Sequence, residues 1–219
     1  MKSYTKVGLL ITLLIIPALV FVFLKVFAKN HFSIPIYYAM DSVKTDNGFK
    51  VTKAHTIPSF SLVSQEGEVV KSEQFIGSIK VVDFFFTRCP GICPKMSNQL
   101  SRVQEVFADE KDLKILSISV DPVYDVPDTL KLYSQKYKAL SQKWFFLTGT
   151  KDSIYTLAQK GFFITAMEDK NHPVDFIHSD KVVLVDKKGW IRGYYNGTDK
   201  KDIDRLIDEI RVLKGIENE

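Results

Sequence analysis

The run Ile79-Lys80-Val81-Val82-Asp83-Phe84-Phe85-Phe86 constrains this chain most. β-Branched and aromatic side chains fill both alternating sets of positions, the pattern of a strand buried on both faces, which needs neighbouring strands and cover on two sides. The run leads straight into Thr87-Arg88-Cys89-Pro90-Gly91-Ile92-Cys93-Pro94, which holds both cysteines of the protein. Beyond Pro94, a residue suited to a first helical turn, Met96, Leu100, Val103 and Phe107 recur at helical spacing and predict an amphipathic helix to about Ala108 with Met96 facing the core.

The remaining segments alternate in the same way. Ser59–Val63 and Glu68–Lys71 flank Gln65-Glu66-Gly67 as a small hairpin, and Leu113–Val120 reads as a second buried strand. Asp128–Leu140 reads as a helix, Trp144–Leu147 as a third strand, and Thr150-Lys151-Asp152 opens a helix to about Lys160. An irregular stretch then runs to His178. Lys181–Val185 and Trp190–Tyr194 form a hairpin around Asp186-Lys187-Lys188-Gly189, and Asp199–Leu213 is a closing helix. Alternating strands and helices imply a central sheet covered on both faces, with functional loops at the carboxyl ends of parallel strands. A two-thiol loop between strand and helix, closed by a hairpin and a last helix, is the thioredoxin-like α/β layout.

At the amino end, Val7–Phe27 is almost uninterrupted by polar residues, long enough to cross a bilayer as a helix. Bulky Phe21, Phe23, Leu24 and Phe27 fill its end, where a cleavable signal would place small residues, so a retained transmembrane anchor over residues 1–29 is expected rather than a signal peptide. No cysteine follows the run, which excludes lipid attachment in its usual form. Lysines lie on both sides, so charge leaves the orientation open. Residues 30–56 read as a tether, with Tyr37-Tyr38 in a solvated linker, and residues 57–219 as one domain. The net charge of +4 is spread along the chain without a basic block, which argues against nucleic acid as a partner.

A disulfide between Cys89 and Cys93 would close a loop of about five residues and add only about 2 kcal/mol, while a chain of this size builds a core without it. The pair therefore points to chemistry. With Cys93 at a helix N-terminus, the dipole favours the thiolate that attacks disulfides or binds soft metals. Redox dithiols of thioredoxin type have two residues between the cysteines, whereas Pro90, Gly91 and Ile92 intervene here. The wider loop suits two thiolates on one side of a soft ion such as Cu(I) or Zn(II), and such a site needs at least one more ligand. The histidines are His31, His55, His172 and His178. In a thioredoxin-like sheet the segment entering the closing hairpin lies beside the cysteine loop, which makes His178 the first candidate and His172 the second.

Phe86-Thr87-Arg88-Cys89-Pro90-Gly91-Ile92-Cys93-Pro94 resembles the F-T-x-C-P-x-x-C-P signature of the Sco or SenC copper proteins. Ser117-Ile118-Ser119-Val120-Asp121-Pro122 and Leu147-Thr148-Gly149-Thr150 support the resemblance, which spans Ile57–Leu213. The family often carries a valine-aspartate pair directly before its histidine, whereas here Phe176-Ile177 separate Val174-Asp175 from His178. The resemblance implies copper held by Cys89, Cys93 and His178, and a role in assembling the binuclear copper site of cytochrome c oxidase. It also implies the oxidase's copper-bearing subunit or another copper chaperone as partner, and a membrane-tethered domain in a periplasm or equivalent oxidising space. Asp121 and Asp125 are considered as rim residues that dock a partner, against a reading as caps or solvated side chains. A thiol-disulfide oxidoreductase using the same two cysteines to reduce a copper-site target is the main alternative. A cysteine peroxidase and a structural zinc domain also remain open.

Overall fold

The computed structural model describes residues 3–27, 34–45, 48–164 and 179–217, which fall in two compact units, Met1–Ser33 and Ile34–Glu219. The first unit holds helix α1 (Ser3–Phe27), with Pro17 inside it. Its described side chains run unbroken from Thr12 to Phe23, and all are exposed. Among the described residues no helix is long and apolar enough to cross a membrane.

The second unit is built on a sheet in the order β4-β3-β7-β6-β5-β8-β9, formed by β3 (Ser61–Ser64), β4 (Val69–Lys71), β5 (Ile79–Phe85), β6 (Leu113–Ser119), β7 (Trp144–Thr148), β8 (Lys181–Val185) and β9 (Ile191–Asn196). β5 lies parallel to β6 from Ile79↔Leu113 to Phe85↔Ser119 and antiparallel to β8 from Lys80↔Val185 to Asp83↔Val182. Both of its edges are therefore paired, and six of its seven residues are buried. This is the environment the unbroken apolar run requires.

Helices α2 (Ile92–Val106) and α3 (Pro127–Lys136) connect β5 to β6 and β6 to β7. Two successive right-handed crossovers in one direction put them on the same face. There Ser97 of α2 hydrogen-bonds Tyr133 of α3, and Tyr133 packs on Phe85 and Phe146. Helix α5 (Lys200–Glu217) joins them through the Arg102–Asp204 ion pair. From β7 the chain returns across β6 and β5 to reach β8, passing through α4 (Lys151–Thr156) and the π-helical turn Leu157–Gly161. This return covers the other face, where Phe162 meets Phe84 edge-on at 5.5 Å.

Local chemistry explains several ends. Thr150 caps α4 by accepting from the Ser153 N–H, and the Asp199 carboxylate accepts from Lys201 N–H at the start of α5. Helix α3 stops at Lys136 rather than at Leu140. Lys138 adopts a left-handed conformation (φ 51°), and the Ala139 N–H returns to the Ser134 carbonyl, a turn that terminates helices.

The stretch expected as a tether, residues 30–56, departs most from expectation. From Ile34 onward it belongs to the folded unit, and it carries a hairpin of β1 (Ala39–Thr45) and β2 (Gly48–Ala54). Tyr37 is no solvated linker residue. Its N–H bonds Ile191 O at 2.9 Å, and its ring meets Tyr194 edge-on at 5.4 Å. Arg192 of β9 holds the entering chain by donating to the carbonyls of Ile34 and Pro35 while pairing with the buried Asp186 carboxylate at 3.1 Å. Arg192→Ala leaves that buried carboxylate without its charge partner, held by the Lys188 and Trp190 amides, and is expected to cost about 3 kcal/mol. A lowered urea midpoint with an unchanged slope checks this, and an unmoved midpoint refutes it.

Candidate metal centre

The cysteine loop leaves the sheet at the carboxyl end of β5. Val120 N–H bonds Phe85 O at 2.8 Å, and a turn closed by Cys89 N–H to Phe86 O at 3.2 Å swings the chain toward α2. Because α2 begins at Ile92, Cys93 lies in its first turn. Both thiols are free and buried, and Cys89 and the Phe86 backbone are the polar neighbours that act on the Cys93 sulfur. Two adjacent, soft, deprotonatable donors fit a thiophilic ion.

The expectation that helix position favours a Cys93 thiolate is corrected. Burial pushes the Cys93 thiol well up, assisted by its hydrogen bond to Cys89, and outweighs the Phe86 contact. The dipole at a helix start is worth at most a couple of kcal/mol, less than the desolvation of a sulfur anion in apolar surroundings. A cation arriving between the sulfurs must therefore displace the Cys93 proton.

Beneath Cys93, on the same face of β5 as Phe85, lies the buried Asp83. Burial raises its carboxyl to about 7, while the Ser117 hydroxyl, donating at 2.5 Å, offsets part of the rise. The same Ser117 oxygen accepts from the Trp144 indole N–H at 2.8 Å. Met96 is fully buried in the core, as expected.

Asp121 and Asp125, considered as rim or solvated residues, are both buried and turn inward onto the cysteine loop. The Asp125 carboxylate accepts from Thr87 N–H at 3.0 Å, from the Thr87 hydroxyl and from the Ser119 hydroxyl at 2.5 Å. Asp121 pairs with Arg88 at 2.5 Å, and the Arg88 guanidinium lies 4.3 Å from the centre of the Tyr124 ring. Sequence reasoning missed this network. The signal available was the placing of two acids just past the apolar run Leu113–Val120.

His178 and His172, the two candidate third ligands, lie outside the described residues, as does His31. His55 is committed elsewhere, its Nε2 lying 2.9 Å from Gly161 O and its ring 4.5 Å from that of Phe163. Among the described residues no group of three His, Cys, Asp or Glu forms a metal site, so the described part of the centre is the cysteine pair. A cavity of about 450 Å³ lined by Ile57, Phe60, Val82, Leu116 and Phe162 touches neither cysteine.

Residues 50–214 match the family model described as SCO1/SenC. The chain belongs to the SCO1/SenC family. It is 31% identical to the SCO1 protein homolog of Bacillus subtilis over 158 residues, covering 72% of this chain and 82% of that protein. A SCO1/SenC family lipoprotein from Bacillus anthracis superposes with a TM-score of 0.66 at 27% identity, covering 73% of this chain and 95% of that one. Arabidopsis thaliana ScoI, solved with copper bound, superposes with a TM-score of 0.59 at 25% identity, covering 74% of this chain and 98% of that one. Membership of this family carries the thioredoxin-like α/β fold expected from the order of elements.

The buried Asp83 makes stability depend on pH. Its carboxyl titrates near 3.8 in the unfolded chain and near 7 in the folded one. Between those values the unfolded chain has released a proton that the folded chain keeps, so stability falls as pH rises through the window and levels off above it. Asp83→Asn, which still accepts from Ser117, is expected to flatten this slope and to gain up to a few kcal/mol at pH 8. Chemical denaturation of both proteins at pH 4.5 and pH 8 checks this, and parallel pH profiles would count against it.

Proposed function

We propose that this SCO1/SenC protein is a copper chaperone whose cargo is held by Cys89, Cys93 and His178 and passed to the copper-bearing subunit of cytochrome c oxidase. The observation that carries the reading is the pair of free, buried thiols at the carboxyl end of β5, in a chain that shares its fold with a copper-bound relative. A second relative, BsSco, is described as a member of the Sco family of cytochrome c oxidase assembly proteins. It has a TM-score of 0.63 at 30% identity and covers 73% of this chain and 93% of that one.

The third ligand is inferred from the chain's approach to β8. Asp180 O accepts from Gly197 N–H at 2.6 Å, and a Cβ at Gly197 would lie 3.0 Å from Met96, one turn beyond Cys93 on α2. The chain entering β8 thus runs beside the helix that bears Cys93, which supports His178, two residues before Asp180, as the imidazole. Two thiolates and one imidazole suit three-coordinate Cu(I), and Cu(II) would draw further ligands. Binding Cu(I) releases the two thiol protons, and transfer proceeds as incoming ligands replace the three one at a time. Oxidation of the pair to a disulfide removes both anionic donors and expels the ion.

Tethering by α1 belongs to the same reading. The apolar sequence of Val7–Phe27 supports a span, and without a cysteine after it the anchor is the helix itself. The B. anthracis relative is described as a lipoprotein. The domain would face the periplasm or an equivalent oxidising space.

The second reading, a thiol-disulfide oxidoreductase acting on the cysteines of a copper-site protein, is favoured by the disulfide switch described for BsSco. Anaerobic titration of the reduced protein with Cu(I), followed by Cu(II) absorption spectra, separates the two. The chaperone reading expects one copper per chain, sulfur-to-copper charge-transfer bands with Cu(II), and loss or displacement of both in His178→Ala and Cys93→Ser. Weak binding that His178→Ala leaves unchanged would instead make the pair a redox dithiol.

A further inference from the structure

The β6–α3 loop and the cysteine loop are joined by a closed ring of polar contacts whose members come from two distant parts of the sequence. Thr87 gives both its N–H and its hydroxyl to Asp125. The Ser119 hydroxyl donates to Asp125 at 2.5 Å and accepts from Asp121 N–H at 3.1 Å. Asp121 returns to the cysteine loop by holding Arg88, the residue after Thr87 and before Cys89. Asp125 has no exposed surface. A carboxylate so placed is tolerated only when its lone pairs are filled, and here hydroxyl and amide donors fill them. Two of the three are on Thr87, two residues before the first cysteine.

This arrangement is more than fold support. β5 is already held on both edges through Asp83 and ends at Phe85. Beyond it, among the described residues, Cys89 is tied locally by the turn bond from its N–H to Phe86 O. The position of the Cys89 sulfur relative to Cys93, which α2 fixes independently, therefore depends on where Thr87 and Arg88 are held.

We propose that Asp125 is a positioning residue for the metal centre: through Thr87 it sets the Cys89 end of the cysteine pair, and so governs both the release of copper and the balance between dithiol and disulfide. The copper part rests on the chaperone reading above, whereas the dithiol part does not. The ring is seen with both cysteines reduced, so its loss withdraws support from the dithiol. In a glutathione buffer, Cys89 and Cys93 give two protons and two electrons to glutathione disulfide, forming one S–S bond in the protein and two glutathione thiols.

The experiment compares the full chain with Asp125→Ala, Asp125→Asn and Thr87→Val. Each is equilibrated in glutathione buffers and, separately, loaded with Cu(I) and challenged with the chelator bathocuproine disulfonate. Asp125→Ala is expected to move the equilibrium toward the disulfide about tenfold, or about 30 mV for this two-electron couple, and to release copper about tenfold faster. Asn keeps an acceptor for the Thr87 N–H and the Ser119 hydroxyl, and its amide can donate to the Thr87 hydroxyl oxygen, so Asp125→Asn is expected to stay within about twofold of the native protein. Thr87→Val, which removes one bond and little volume, should fall between them and carries the test if Asp125→Ala does not fold. A lowered melting temperature with both readouts unchanged would overturn the proposal. Failure of the native protein to bind Cu(I) would overturn the chaperone reading while the glutathione equilibrium still decides the role of Asp125.

Discussion

Pairing of β5 on both edges is the constraint on which the second unit depends. A strand with apolar side chains on both faces must bury both, and its amides need partners on both sides. β6 and β8 supply the partners. The helices that follow β5 and β6 cover one face, and the return through α4 covers the other. This topology leaves the carboxyl end of β5 as the place where the chain must break out of the sheet, and the two cysteines occupy that exit.

Around the cysteine pair, two connected sets of polar groups sit inside this core. In the first, Ser117 bridges Asp83 and Trp144 within the sheet. The second links Thr87, Asp125, Ser119, Asp121 and Arg88 above its carboxyl end. Each carboxylate has its donors, which lets acids sit beneath and beside the thiols in a low-dielectric interior. The same burial that keeps Asp83 protonated to higher pH keeps the Cys93 proton in place. The Cys93 thiol is thus unreactive until an arriving cation displaces its proton.

Much of the fold was legible in the chain because it rests on local pattern. The β5 run, the helical spacing of Met96, Leu100, Val103 and Phe107, the Thr150 cap and the Asp199 start of α5 all lie where periodicity and capping chemistry put them. The β1–β2 hairpin was missed, although Asp46-Asn47-Gly48 between short alternating runs is a turn signal. Its side chains are largely exposed, so no strong apolar pattern marks it. The early end of α3 was missed too, since the left-handed turn at Lys138 has no glycine to announce it.

By itself the sequence determined that two cysteines stand at a strand-to-helix junction, because strand, loop and helix are contiguous and each has its own periodic signature. Only the tertiary structure decided what surrounds them. The protonation of Cys93 follows from its burial, and the hold on Thr87 and Arg88 comes from acids more than thirty residues away. Desolvation and hydrogen bonding act through space, so these properties exist only once the sheet has brought distant segments into contact.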